Sequence, residues 1–363
     1  MKKQIISLLI VILFSFVLFE IGLALLSNVS ILKMGAPSYS ISNITSRFWI
    51  DTNKDYGPWH EPGSKYIHAK SCFKWEYTAN KFGARDKERV IESSSNRTVV
   101  LGDSFIEGFG VSTPNRLTDV LEESTGREFL NFGTSGSFGT IQESILYETF
   151  ASKFSHDTVV IALLPANDFL DDDLHFGKNF YGDRYRPYYR GEYPNYEIIY
   201  YPPELKEKPD KNVGQIIKGL FREFTYSYHL ASFLKGIYYS SKKVKTREKP
   251  YSGYFDFHEE SINRLQFSYE KIIRKAKESN RKVYVVSLPV YTDILRYSEE
   301  GKAPLTQRLE DMSKQVGFQF IDLLPYMHDF SKNWQDYYLE CDDHWGDHGN
   351  KVAADYLKSI FHN

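Results

Sequence analysis

Five short runs of aliphatic and β-branched residues constrain this chain more than any other feature: TVVLG at 98–102, EFLNF at 128–132, TVVIALL at 158–164, KVYVVSL at 282–288 and FQFIDL at 318–323. Their largely continuous apolar character suits strands buried on both faces, as in a parallel sheet. Amphipathic stretches separate them. Thr140 followed by Glu143 reads as a capping box, after which Ile141, Ile145 and Phe150 share a face. Ile262, Leu265, Tyr269, Ile272, Ile273 and Ala276 form a second stripe, and Val352, Ala353, Tyr356, Leu357 and Ile360 a third. Strands alternating with helices predict an α/β domain in which helices cover a central parallel sheet.

That domain occupies only part of the chain. Residues 5–26 form an apolar run of bilayer length behind Lys2 and Lys3, broken by Glu20, Ser7 and Ser15. The lysines and the length favour an uncleaved single-pass anchor over 1–28 with the remainder extracytoplasmic, and a cleaved signal as the alternative. Glu20 is expected to reach the membrane interface. Residues 29–90 lack periodicity and read as a stalk and lead-in, and 91–363 as the globular domain. Within it, about 171–252 breaks the alternation and reads as an insertion whose tyrosines between Tyr181 and Tyr201 either pack a small hairpin or stack on sugar rings. A net charge of -2 offers no basic footprint for nucleic acid. Two cysteines, Cys72 and Cys341, allow one disulfide in an oxidising compartment, and the sequence leaves their pairing open.

The chemistry centres on VVLGDSFIEGFGV, where a buried strand runs into Gly-Asp-Ser. Ser104 is thereby placed at the carboxyl end of the first strand, where open α/β sheets bind ligands and a following helix start offers backbone N–H groups. A serine hydroxyl needs a base, and His344 in ECDDHWGDHGN supplies one. Asp342 is the expected orienting acid, with Asp343 and Asp347 as alternatives. Gly136 in NFGTSG and Asn167 in PAND follow the second and third strands and, with Ser104, are the expected oxyanion hole.

These four segments resemble the blocks of the SGNH (GDSL-like) hydrolase superfamily: GDSFIEG the first, NFGTSG the second, PAND the third. The last block departs from the common Asp-x-x-His, because position 341 is cysteine; its Asp-x-His-Trp form is similar to that of a branch that modifies exopolysaccharides, including O-acetyltransferases. NKFGAR at 80–85 also resembles a lead-in of anchored members. The resemblance covers about 80–170 and 280–363. It implies a flavodoxin-like three-layer αβα sandwich, no cofactor and no metal, and hydrolysis or transfer of a carboxylic ester by Ser104, His344 and Asp342.

The reading that follows is serine-dependent hydrolysis or transfer of an O-acyl group, acetyl being the expected one, on an extracytoplasmic glycan or other small ester, with a partner protein supplying the acyl donor if the reaction is transfer. Two other classes compete with it. Asp342, His344, Asp347 and His348 crowd seven positions and suggest a metal-dependent hydrolase. A non-catalytic glycan-binding or assembly protein on the same fold is the other.

Overall fold

The computed structural model describes residues 2–182, 184–206, 211–243 and 249–361, with the side chains of 239–243 excepted. The N-terminal run forms α1 (Lys2–Asn28), a helix long and apolar enough to cross a membrane. The Glu20 carboxylate accepts the backbone N–H groups of Tyr226 at 2.6 Å and Ser227 at 3.0 Å.

The segment 29–90 is built into the domain and is not a stalk. It contains α2 (Ser42–Thr45) and two antiparallel hairpins, β1 (Ile50–Asn53) with β2 (Gly57–Trp59) and β3 (Lys65–Lys70) with β4 (Phe73–Thr78). Phe48, Tyr56, Trp59 and Tyr77 are buried. They pack in two groups, Phe48 against Tyr77 at 6.0 Å and Tyr56 against Trp59 at 5.8 Å, at spacings that follow neither a helical nor a strand period.

The core then unfolds in the expected alternation: β5 (Arg97–Gly102), α3 (Ser104–Glu107), α4 (Leu117–Thr125), β6 (Glu128–Gly133), α5 (Thr140–Thr149), β7 (Thr158–Leu163), α6 (Pro165–Asp171) and α7 (Leu174–Phe180). The insertion supplies the hairpin β8 (Arg186–Arg190) and β9 (Glu197–Tyr201), then α8 (Val213–Phe224) and α9 (Tyr226–Lys243). The chain returns through α10 (Glu259–Lys277), β10 (Lys282–Ser287), α11 (Tyr291–Glu300), α12 (Pro304–Val316), β11 (Gln319–Asp322), α13 (Leu323–Phe330) and α14 (Asp347–Phe361).

The central sheet runs β11-β10-β7-β5-β6, with every neighbouring pair parallel. Its first strand therefore lies between its second and third, the 2-1-3-4-5 order of flavodoxin-like folds. The chain crosses from β5 to β6 in one direction and from β6 to β7 in the other, so right-handed crossovers set α4 and α5 on opposite faces. Three layers result. Their core is aliphatic at the sheet, with Val99, Leu101, Val159, Ile161, Val285 and Leu288 all buried. The turn between direction changes, at the carboxyl ends of β5 and β7, is where such sheets open a crevice.

The start of α5 differs from expectation. Gly139 is the N-cap, and the Gln142 side chain accepts its N–H at 3.2 Å. Asp172 accepts from the Ile141 N–H at 3.2 Å and from the Thr140 hydroxyl. Glu143 is buried instead of capping, and burial holds its carboxyl well above the usual range.

The eight tyrosines between Tyr181 and Tyr201 pack inward: Tyr185 stacks on Tyr200 at 5.1 Å, Tyr189 on Tyr196 at 5.2 Å, and none of the eight is exposed. Their ring contacts hold the hairpin together.

Arg85 joins the lead-in to the nucleophile turn. Buried and stacked 3.3 Å over the Tyr77 ring, it donates to the carbonyls of Glu107 at 3.0 Å, Gly108 and Val111 at 2.8 Å. Arg85→Ala would strand three buried acceptors, a loss of about 3 kcal/mol or more by analogy with broken buried charge networks. Chemical denaturation should show a lower midpoint of that size; an unchanged midpoint would mean the turn is held by other contacts.

Candidate active site

Ser104 begins α3 directly after β5, so its backbone N–H has no acceptor within the helix and faces the crevice. Asp103, the N-cap, accepts the Phe105 N–H at 2.9 Å through Oδ1 and an Asn167 Nδ2 hydrogen at 2.9 Å through Oδ2. Burial pushes its carboxyl up to about 6 against the pull of those two bonds. Gly108 closes the short helix at φ 84, a conformation that suits a residue without a Cβ.

His344 arrives from the opposite end of the chain. Its Nε2 lies 2.7 Å from Ser104 Oγ, and its Nδ1 bonds Asp342 Oδ1. Phe109 stacks on the imidazole at 4.2 Å. Asp343 is exposed and makes no contact with His344 of this kind. The carboxyl of Asp342 is held well below the usual range although burial opposes this, because His344 and Lys70 Nζ both bond it.

The loop carrying His344 is fastened on both sides. Tyr338 and Trp345 form an antiparallel bridge, Leu339 N–H donates to the His344 carbonyl at 2.9 Å, and buried Trp345 donates through Nε1 to the Pro289 carbonyl at 3.2 Å. Trp345 also meets Phe105 edge-on at 5.3 Å, which gives the Asp-x-His-Trp tryptophan a packing role beside the nucleophile. At the tip, Cys341 forms a disulfide with Cys72 in the β3–β4 turn, Cα atoms 5.7 Å apart. Cys341 is thus a clamp, and the same turn delivers Lys70 to Asp342.

Gly136 lies three residues past the end of β6, and Asn167 lies in the first turn of α6, which follows β7. Gly136 has φ 107, and an added Cβ would come 3.1 Å from Arg184 Nη2. Arg184 is steadied by Asp51 at 2.8 Å, while its Nη2 is buried with no partner. The Asn167 amide has a second N–H left after bonding Asp103.

Beneath these groups lies Glu107, from the GDSFIEG segment itself and fully buried. Its Oε1 accepts from Trp49 Nε1 at 2.8 Å and bonds His60 Nε2 at 2.9 Å; its Oε2 accepts the Ser135 N–H at 2.7 Å and the Ser135 hydroxyl. Burial acts to raise its carboxyl, and His60, Arg85 and Trp49 outweigh that and lower it. Sequence reasoning missed Glu107, Lys70, His60 and Arg184. Glu107 alone had a local signal: a carboxylate among apolar residues one turn after the nucleophile.

The crowded carboxylates and imidazoles of 342–348 do not converge. Asp342 and His344 belong to the serine array, exposed Asp347 accepts from Asn115 Nδ2 at 2.7 Å, and exposed His348 faces the Tyr337 ring at 5.5 Å. Among the described residues no three metal-ligating side chains gather at one point. A cavity of about 1230 Å³ opens beside Asp342, lined by Ser30, Lys33, Cys72 and Asp343 among others, but Ser104 is not in its wall.

Because Asp342 titrates lower in the folded chain than its unfolded value near 3.9, the stability it contributes is complete above that pH and is lost as pH falls below it. The melting temperature of the native chain minus that of Asp342→Asn should hold steady above about pH 5 and shrink below about pH 4. A gap that widened on acidification would contradict an ion pair at this position.

No family model and no curated protein matches the chain. Among solved structures it is similar to a member of the lipolytic protein G-D-S-L family from Veillonella parvula, at 12% identity over 74% of this chain and 98% of that one, TM-score 0.36. A lipase/acylhydrolase from Enterococcus faecalis shares 12% identity over 73% and 96%, TM-score 0.37. An acetyl xylan esterase shares 14% over 73% and 98%, TM-score 0.36. The SGNH (GDSL-like) resemblance rests on the chain's own four blocks, placed in order at the ends of a sheet whose strand order is the one it implies.

Proposed function

We propose that this chain is a serine-dependent ester hydrolase or acyltransferase. The observation that carries the reading is the continuous array of Ser104 Oγ, His344 and Asp342, with Ser104 Oγ 2.7 Å from the imidazole. In the first half-reaction Ser104 Oγ attacks the acyl carbonyl while His344 Nε2 takes its proton. The oxyanion is received by N–H groups of Ser104, Gly136 and the Asn167 amide. The tetrahedral adduct collapses to acyl-Ser104 as His344 returns the proton to the leaving alcohol. Water, or a second hydroxyl, then attacks the acyl-serine by the same route, so hydrolysis and transfer differ only in the acceptor.

The finer reading is an O-acyl group, acetyl by expectation, on an extracytoplasmic glycan, with a partner protein supplying the donor if the reaction is transfer. Three features support the compartment. Lys2 and Lys3 precede α1 and favour a cytoplasmic N-terminus. Glu20 of α1 binds the backbone of α9, an interaction a cleaved signal would forfeit. The Cys72–Cys341 disulfide suits an oxidising environment. The glycan itself is supported by the Asp-x-His-Trp form; the tyrosines no longer speak for it.

The full chain in detergent should hydrolyse p-nitrophenyl acetate and react with a fluorophosphonate probe at Ser104. Ser104→Ala and His344→Ala should each remove activity, and Asp342→Asn should lower kcat by up to about 10⁴-fold, the scale for a wrongly oriented triad histidine. Asp343→Asn should leave kcat near native. Activity that survives Ser104→Ala and vanishes with a chelator would sink the serine reading; loss confined to Asp343→Asn would reassign the acid.

A further inference from the structure

The helix α8 is inside out. Val213, Ile216, Ile217, Leu220, Phe221 and Phe224 recur at the spacing of one helical face, and all six are exposed. The face turned to the protein is the polar one: Gly219 lies against Ile44, and buried Glu223 accepts from Asn43 Nδ2 at 3.0 Å and from the Ser38 hydroxyl. A soluble surface helix does the opposite, and a contiguous apolar patch of this kind marks contact with another apolar phase. On neighbouring surface, Tyr39 meets Phe224 at 6.1 Å and is itself exposed, and Leu234 and Ile237 of α9 are exposed as well.

The position of this hairpin relative to α1 is fixed by Glu20. Its two oxygens hold the first N–H groups of α9 and so seat the α8–α9 corner on the side of α1. Glu20 lies six residues before Leu26, the last residue of the apolar run, a distance of about 9 Å along a helix. That matches the roughly 5–10 Å to which interfacial amphipathic helices sink into the headgroup and acyl boundary. A carboxylate inside an apolar span is costly unless paired, and here its partners are the α9 N–H groups.

We infer that the α8–α9 hairpin lies in the lipid headgroup and acyl boundary beside α1, as a second contact with the bilayer that fixes how the domain sits on it. The inference rests on the reading of α1 as a membrane span. It goes beyond that reading because a single helix sets the distance of a domain from the membrane and not its orientation.

The full chain, reconstituted in phosphatidylcholine–phosphatidylglycerol vesicles, provides the test. Leu220→Cys, Ile10→Cys and Lys314→Cys each receive an environment-sensitive fluorophore, and Ile217→Cys repeats the first on the same face. Expected are a blue shift and loss of emission at Leu220 and Ile217 with lipids spin-labelled near the headgroup. Ile10 should respond to lipids labelled deep in the chain, and Lys314 only to aqueous iodide. Quenching of Leu220 and Ile217 by iodide with Ile10 still lipid-quenched would overturn the inference and leave the anchor intact. Shielding of Leu220 and Ile217 from both quenchers would overturn it in favour of a protein partner or a second copy. Absence of lipid quenching at Ile10 would remove the span and the inference together.

Discussion

A carboxylate with no access to water sits one turn below the nucleophile, and much of the molecule is arranged to accommodate it. Glu107 would be strongly destabilising if left alone in the core. Its three partners come from two separate stretches: Trp49 and His60 from the lead-in, Ser135 from the loop after β6. Meeting them requires the lead-in to fold under the serine turn, and it ties the residue preceding Gly136 to the helix that begins with Ser104. Nucleophile and oxyanion loop are thereby held in one rigid unit.

The sheet was legible because buried parallel strands have a simple signature, and TVVLG, TVVIALL and KVYVVSL carry it without interruption. Ser104 was legible because strand ends are where such a fold exposes chemistry, and Gly136 and Asn167 were sought after the next two strands for the same reason; His344 was read from its neighbouring carboxylates ahead of an amphipathic helix. Asp342 was named from spacing alone, with two competitors a few residues away, and it was three-dimensional placement that brought it and not Asp343 to the imidazole. What sequence could not reveal are contacts between distant, non-periodic segments. Lys70 reaches Asp342 over 272 residues, and the aromatics of 29–90 pack at irregular spacings, which from composition alone looks like a stalk.

Electrostatics divides the site into two territories. Around His344, the Asp342 carboxyl is held well below the usual range by the imidazole and by Lys70, against its own burial. Behind Asn167, burial raises the carboxyls of Asp168 and Glu143 well above the usual range.

The hydroxyl of Ser30, two residues past the end of α1, bonds Glu340, two residues before Asp342, at 2.9 Å. Gly35 pairs with Lys70 in a β-bridge, and Lys70 in turn bonds Asp342. With α1 in a bilayer, no flexible arm separates the membrane from the catalytic loop. If the proposed ester chemistry holds, the serine works at one height above the membrane, and only esters carried to that plane come within its range.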